Sequence, residues 1–311
     1  MSRAPASPTA AIACPACGAP AAVDDRFCEV CGHALRDDGA VADGRVEVLD
    51  AGAAGVTHRG LLHARNEDAM RLSVRDRSAS SPVTVAIVCD GVSSSIHPEI
   101  ASRLAASTAA SALTAVSAPD EQSVHDAIAA AQAAVERIPW SRDRDTSAPS
   151  CTLAAAVWDG EHVVVGNVGD SRVYWLGADG ARVLTEDDSW MHHQLANGTD
   201  PRVARRDPNA HAITRWLGED ASDDPYRVST FTPPGAGRVV VCSDGLWNYA
   251  AEPASLLELA GTQALAGTPA ELAHHYVDAA LAAGGHDNVT VVVVDVVPPG
   301  VTPPTSQEEA P

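Results

Sequence analysis

The sequence predicts an α+β fold in which antiparallel sheets are layered with helices over most of a 311-residue chain. Three observations predict it. Short valine-rich runs read as strands, and tight polar links such as "WDGEH" and "LGADGAR" make the middle ones antiparallel. Alanine-rich stretches with helical spacing of leucine and isoleucine come in pairs, one pair after the second run and one before the last. Grouped strands and grouped helices favour layers over a wound parallel sheet, and no G-x-G-x-x-G is present.

In chain order, strands are expected at "AMRLSV", "VTVAIVCD", "TLAAAVW", "HVVVGNV", "RVYWLG", "RVVVCSD" and "NVTVVVVDVV". Helices are expected from His97 to about Val116, from Glu121 to Ile138, around Ser255 to Leu265 and from Pro269 to Ala283. Residues 10–36 form a cysteine module and 37–45, "DDGAVADGR", read as a linker. The layered domain occupies 46–297, and the proline-rich stretch 298–311 reads as a disordered tail.

Composition narrows the function. With 45% hydrophobic and 4% aromatic residues, the core is built from alanine, valine and leucine. A net charge of −20 argues against a nucleic-acid partner, because phosphate backbones recruit clustered cations. All 21 basic residues are arginine, so P-loop, protein-kinase and Schiff-base lysine chemistries are closed. No run of about 18 apolar residues predicts a membrane span. "MSRAPASPTAAIAC" lacks the apolar core of a secretory signal, so a cytoplasmic location is expected.

Four of the seven cysteines form two C-x-x-C pairs, Cys14/Cys17 and Cys28/Cys31, with ten residues between them. Four thiolates presented in this way suit one structural, tetrahedral Zn²⁺; two disulfides are the competing reading. Residues 14–35 resemble the zinc-ribbon family. With Asp24, Asp25 and Glu29 against Arg26 and Arg36, the module reads as a tether or protein-docking knob. Cys89, Cys151 and Cys242 stand alone in strand-like contexts and are expected to be small buried hydrophobes.

Three aspartates, Asp90, Asp244 and Asp287, stand at the ends of three very apolar strands. An unpaired carboxylate there is costly to desolvate, and divalent cations would relieve the repulsion among several. Oxygen ligands without histidine or thiolate select Mg²⁺ or Mn²⁺. The carbonyl of Gly91, freed of a neighbouring side chain, could add a ligand. Glu67 and Asp68 in "RNEDAM" and Asp170 in "NVGDSRVYW" are further acidic candidates. Each has an ordinary alternative: Asp-Gly makes turns, and Asp170 could pair with Arg172.

The order of "RNEDAM", "VCDGV", "NVGDSRVYWL", "LTEDDSW", "ITRWLG", "CSDGLWN" and "GGHDNVTVVVV" resembles the successive motifs of the metal-dependent serine/threonine protein phosphatases, type 2C, over roughly residues 55–296. The resemblance implies a four-layer α-β-β-α sandwich with a two-metal centre at one edge. It implies that Asp90 bridges two Mn²⁺ or Mg²⁺ ions, that Asp244 and Asp287 bind one, and that Glu67 and the Gly91 carbonyl serve the other. Asp170 matches the residue for a weaker third ion, and Asp68 and Asn288 would orient water. Residues 190–211 fall where the family has a flap, whose Arg202, Arg205 and Arg206 are candidates for substrate contact. The implied activity is single-step, in-line hydrolysis of phosphoserine and phosphothreonine esters by a hydroxide that the two metals activate. The implied substrates are products of serine/threonine kinases, and the acting unit a monomer.

Two positions depart from the pattern. His63 stands where the family has its phosphate-binding arginine, and a histidine is only partly charged near neutrality. Arg65, which would share the face of His63 in a strand, and Arg59 are the other phosphate candidates. Val92 follows Asp-Gly where a proton donor often stands. The alternative function is therefore a pseudo-phosphatase that binds phosphoproteins with little turnover.

Overall fold

Side chains alternate across a strand, so a strand apolar on both faces can be covered from both sides. The computed structural model describes residues 11–13, 20–22, 45–50, 52–75, 83–141, 147–222, 224–261 and 263–301, and two such sheets dominate it. The first has the order Gly180–Val183, Arg172–Gly177, Gly237–Cys242, Val289–Val296, Ala53–His58 and Arg45–Asp50. The second runs Arg227–Phe231, Val163–Val168, Leu153–Trp158, Val83–Cys89 and Ala69–Arg75. Every pairing in both is antiparallel.

Alternation sorts the core into three layers. Val292 and Val294 face across the sandwich to Ala86, Val88, Ala154 and Ala156, with Trp175 and Met70 filling the same interface. Val289, Val291 and Val293 face the other way, onto helix Pro269–Ala282. On the second sheet Val85, Ile87 and Cys89 face helices Pro98–Thr114 and Glu121–Val135. Ala101, Ala105 and Ala109 make a stripe at i, i+4 spacing, which lets that helix approach the sheet closely. The result is helices, sheet, sheet, helices: the α-β-β-α sandwich.

Local chemistry sets the helix starts. Asp120 accepts from Ser123 N at 2.9 Å, and Thr268 and Glu271 close a reciprocal capping box, each cap being worth about 1 kcal/mol. Gly261, at φ 53°, ends helix Pro253–Ala260, so the helix expected around Ser255 to Leu265 is two pieces, the second being Gln263–Ala266.

Other differences have clear causes. Strands Arg45–Asp50 and Ala53–His58 lack the valine-rich signal that marks the others. The second carries Gly55 because Met70 lies against it, 2.7 Å from where a Cβ would stand. Arg45, expected in the linker, begins the first strand of the sandwich. The segment holding His63 and Arg65 is a turn rather than a strand, so shared-face reasoning does not apply to that pair.

Cys89, Cys151 and Cys242 are buried and unbridged. Cys14, Cys17, Cys28 and Cys31 lie outside the described residues, as does most of the 298–311 tail; within the N-terminal module only the short antiparallel pair Ala11–Ala13 and Pro20–Ala22 is described. No helix among the described residues is long and apolar enough to cross a membrane.

Candidate active site

Antiparallel pairing puts one strand's C-terminal end beside its neighbour's N-terminal start. In the second sheet the end of Val83–Cys89 therefore meets the start of Ala69–Arg75, which brings Asp90 to Glu67 and Asp68. Asp90 is held by its backbone: its N–H donates to Thr152 Oγ1 at 3.0 Å and its carbonyl accepts from Thr152 N at 2.7 Å. Gly91 N donates to the Glu67 carbonyl at 3.2 Å, and Ser102 Oγ donates to the same carbonyl at 2.5 Å. The Glu67 carboxylate accepts from Arg65 Nε at 2.8 Å and Ser93 Oγ at 2.6 Å. Asp68 is buried, and its Oδ2 accepts from Thr290 Oγ1 at 2.6 Å and Ser243 Oγ at 2.8 Å, which ties the two sheets together.

In the first sheet the end of Gly237–Cys242 lies beside the start of Val289–Val296. That pairing sets Asp244, first residue of the helical turn Asp244–Trp247, next to Asp287. Two glycines permit the approach. A Cβ on Gly245 would stand 1.9 Å from the Asn288 carbonyl oxygen, and one on Gly60 (φ 73°) would stand 2.1 Å from that of Asp287. Asn288, expected to orient water, uses its amide on backbone. Its Oδ1 accepts from Glu67 N at 2.6 Å, and its Nδ2 donates to Arg59 O and Arg65 O at 2.8 and 3.1 Å. It positions the 59–67 turn. Asn248 Nδ2 donates to Asp244 Oδ2 at 3.1 Å, one helical turn on.

The electrostatics show that these carboxyls share one space. Burial, then the charges of Asp68, Asp244, Asp170 and Asp287, push Asp90 well above the usual carboxylate range. Burial raises Asp68 to about 7 against the pull of its two hydroxyl donors, with Asp244 and Asp287 adding to the rise. Burial and then Asp287 raise Asp244 to about 6, while hydrogen bonds with Asp90 and Asn248 pull it down. Asp68 Oδ1 and Asp244 Oδ1 are buried with no hydrogen-bond partner. Among the described residues no three acidic, histidine or cysteine side chains yet close on a single point as a formed ion site. The donor set nonetheless fits hard divalent cations: crowded carboxylates, orphaned buried oxygens and no thiolate among them.

Residues 57–281 match the protein phosphatase 2C family. The chain belongs to that family. It is 30% identical over 246 residues to the serine/threonine phosphatase stp of Listeria innocua serovar 6a, covering 77% of this chain and 93% of that one. It is 29% identical over 247 residues to the serine/threonine protein phosphatase PstP of Mycobacterium tuberculosis, covering 77% of this chain and 44% of the relative. The crystal structure of the PstP catalytic domain in complex with 2 manganese ions superposes with a TM-score of 0.64 at 27% identity, over 81% of this chain and 99% of that one.

In this type 2C phosphatase the phosphate candidates are engaged within the protein. His63 Nε2 lies 3.3 Å from Asp287 Oδ1. Arg65 pairs with Glu67 and stands 3.6 Å from Glu99 Oε2, whereas Arg59 Nη1 donates to the His63 carbonyl at 2.6 Å. Asp170 does not pair with Arg172. Burial, then Asp244 and Asp187, hold its carboxyl well above the usual range, and its carbonyl accepts from Trp247 Nε1 at 2.8 Å. Arg172 makes a two-pronged pair with Asp187 at 2.9 and 2.6 Å and lies 3.8 Å over the Trp247 ring. Sequence reading missed Ser93, Asp187, His211 and Asn248. Asp187 and Asn248 lie in the motifs "LTEDDSW" and "CSDGLWN" and His211 ends the 190–211 stretch, but none of them carried an assigned role.

The 190–211 segment holds the short helices Trp190–Ala196 and Pro201–Ala204. Arg205 there pairs with Glu252 at 2.5 Å, and Arg202 and Arg206 are exposed. His211 stacks on Trp247 with ring centroids 6.5 Å apart, which brings the end of this segment to the carboxylate edge.

Proposed function

We propose that this 2C phosphatase hydrolyses phosphoserine and phosphothreonine esters on proteins at the carboxylate edge. Asp90, Asp244, Asp287, Glu67 and the Gly91 carbonyl would hold two Mn²⁺ or Mg²⁺ ions, with Asp90 the carboxylate most crowded by the others. Asp170 would hold a weaker third ion. When bound, such ions lower the pKa of a water from about 15.7 toward about 7 and stabilise charge developing on phosphoryl oxygens. The observation that carries this reading is the gathering of acidic groups from separate strands with two buried oxygens left unpartnered.

The chain's own residues do the rest. Asp68, anchored through Oδ2 by Ser243 and Thr290, holds Oδ1 free to accept a proton from the attacking water. Asn288 keeps the 59–67 turn against Asp287, so His63 and Arg65 stay beside the phosphate position. Substrates are proteins phosphorylated by serine/threonine kinases, and the protein acts in the cytoplasm as a monomer. The binding-only alternative rests on His63 alone, while the acidic set argues for turnover.

The test is Mn²⁺-dependent release of phosphate from p-nitrophenyl phosphate and from a phosphothreonine peptide. Turnover that EDTA abolishes is expected, and metal-independent or absent turnover would sink the proposal. In the same assay His63→Arg raises kcat/KM on the peptide by about tenfold, because a guanidinium grips phosphate with two parallel bonds and stays charged. An unchanged value would remove His63 from phosphate binding.

The N-terminal module is proposed as a zinc ribbon over residues 10–36, joined through 37–44 to a phosphatase domain that begins at Arg45 and runs to 297. Cys14, Cys17, Cys28 and Cys31 hold the single Zn²⁺. Elemental analysis with thiol-triggered release should give about one zinc per chain, lost on Cys28→Ser. A zinc-free protein with four titratable thiols in this module would refute it.

A further inference from the structure

Beside the carboxylate edge lies a pocket of about 350 Å³ lined by His211, Gly245, Asn248, Tyr249, His286 and Asp287. Under the 190–211 segment is a larger cavity of about 540 Å³. His211 and Asn248 line both, so the two cavities adjoin between Asp287 and the 190–211 segment. A peptide with its phosphate at the carboxylates has the larger cavity close by.

The lining of that cavity is selective. Its large apolar side chains are Val183, Met191, Leu195, Trp247 and Pro253. Its charged groups are matched within the wall. Arg172 is taken by Asp187, the Tyr174 hydroxyl, the Ala251 carbonyl and the Trp247 face. Glu186 meets His192 at 2.5 Å, and Glu252 meets Arg205 at 2.5 Å. A charged side chain entering here would find these groups already paired and would have to displace a partner to gain one of its own. A large apolar side chain would only displace water.

We propose that this cavity receives a large apolar side chain of the phosphoprotein, lying a short distance along the chain from the phosphorylated residue, and so sets substrate preference. The inference rests on the phosphatase reading and adds a specificity site to it. Met191 and Leu195, both half-buried on helix Trp190–Ala196, are the residues that define the pocket's fit.

The test varies each position flanking the phosphothreonine of a peptide in turn. At one position leucine, methionine or phenylalanine should raise kcat/KM about tenfold or more over alanine, aspartate or arginine, mostly through KM. Leu195→Asp should abolish that preference and move it toward arginine, leaving p-nitrophenyl phosphate turnover within about twofold of wild type, because the small ester does not reach the cavity. Met191→Ala should weaken the preference without reversing it, which serves if the charged variant folds poorly. Binding of non-hydrolysable phosphonate peptides, read by fluorescence anisotropy, reports the same preference independently of turnover. No apolar preference at any position, or equal loss on peptide and p-nitrophenyl phosphate in both variants, overturns the inference. Loss of wild-type p-nitrophenyl phosphate turnover with intact anisotropy preference would instead count against the phosphatase reading.

Discussion

Asp90→Asn lowers phosphate release from p-nitrophenyl phosphate by about a thousandfold or more, and at the same time it raises the melting temperature of the metal-free protein. The first effect follows from position. Asp90 is the most crowded of the carboxylates proposed to hold the ions, so an amide in its place removes a charged ligand, and electrostatic stabilisation of this kind is commonly the largest catalytic contribution. The second follows from repulsion. Without cations Asp90 faces Asp68, Asp244, Asp170 and Asp287 in a desolvated space, which is why its proton is held so tightly. Asparagine keeps the shape and can still donate to Asp244, but it carries no charge. Relief of even 1 kcal/mol in a domain of this size raises the melting temperature by about 2–4 °C. Kinetics with saturating Mn²⁺ and a thermal melt in EDTA at pH 8 read the two effects. A variant that is inactive and also less stable would mean that Asp90 is structural, and the reading of the cluster as an ion site would fail.

Metal-free protein loses stability as pH rises from about 5 to 8, and Mn²⁺ restores it by more at pH 8 than at pH 5.5. Asp68 is raised to about 7 and Asp244 to about 6, and Asp90 and Asp170 are raised well above their ordinary value. An acid with a higher pKa folded than unfolded binds more protons in the native state, so stability falls with pH between the two values. Below about pH 4 both states are protonated and nothing is lost; above the folded value the loss is complete. For Asp68 alone the displacement corresponds to a few kcal/mol, taking about 1.4 kcal/mol per unit, and because the acids share one space their effects do not add. Carboxylates lowered elsewhere, such as Asp120 and Glu271, act in the opposite sense and only at more acid pH, outside this window. Divalent ions bind the ionised form, so they compete with protons at pH 5.5 and face bare carboxylates at pH 8. Melting curves in EDTA and in Mn²⁺ across this range measure both slopes. A flat or rising metal-free curve would show that the carboxyls are not crowded in solution.

The strongly patterned parts of the fold were legible before any coordinates. Runs such as "VTVAIVCD" and "NVTVVVVDVV" are apolar on both faces, and this specifies strands covered on two sides. Helices Pro98–Thr114 and Glu121–Val135 follow from alanine stripes at helical spacing. Strand Ala53–His58 was invisible because alanine, glycine and histidine carry little strand signal. Its pairing on both sides, with Val289–Val296 and with Arg45–Asp50, makes it a strand. The turn around His63 was misread for a related reason: the Asn288 amide pins its backbone from across the sheet, 221 residues on from the Glu67 N–H it accepts.

By itself the sequence determined the acidic residues at strand ends, the arginine-only basic set, the cysteine spacing and the motif order that places the chain among the 2C phosphatases. The tertiary structure decided which of those acids crowd one another and which oxygens stay unpartnered. It decided that Asn288 holds backbone, that Arg172 belongs to Asp187, and that a cavity with apolar side chains and paired charges lies near the carboxylates. The physical reason is range. Strand and helix patterns are written in neighbours a few residues apart, whereas desolvation, charge pairing and cavity shape depend on groups brought together from distant strands.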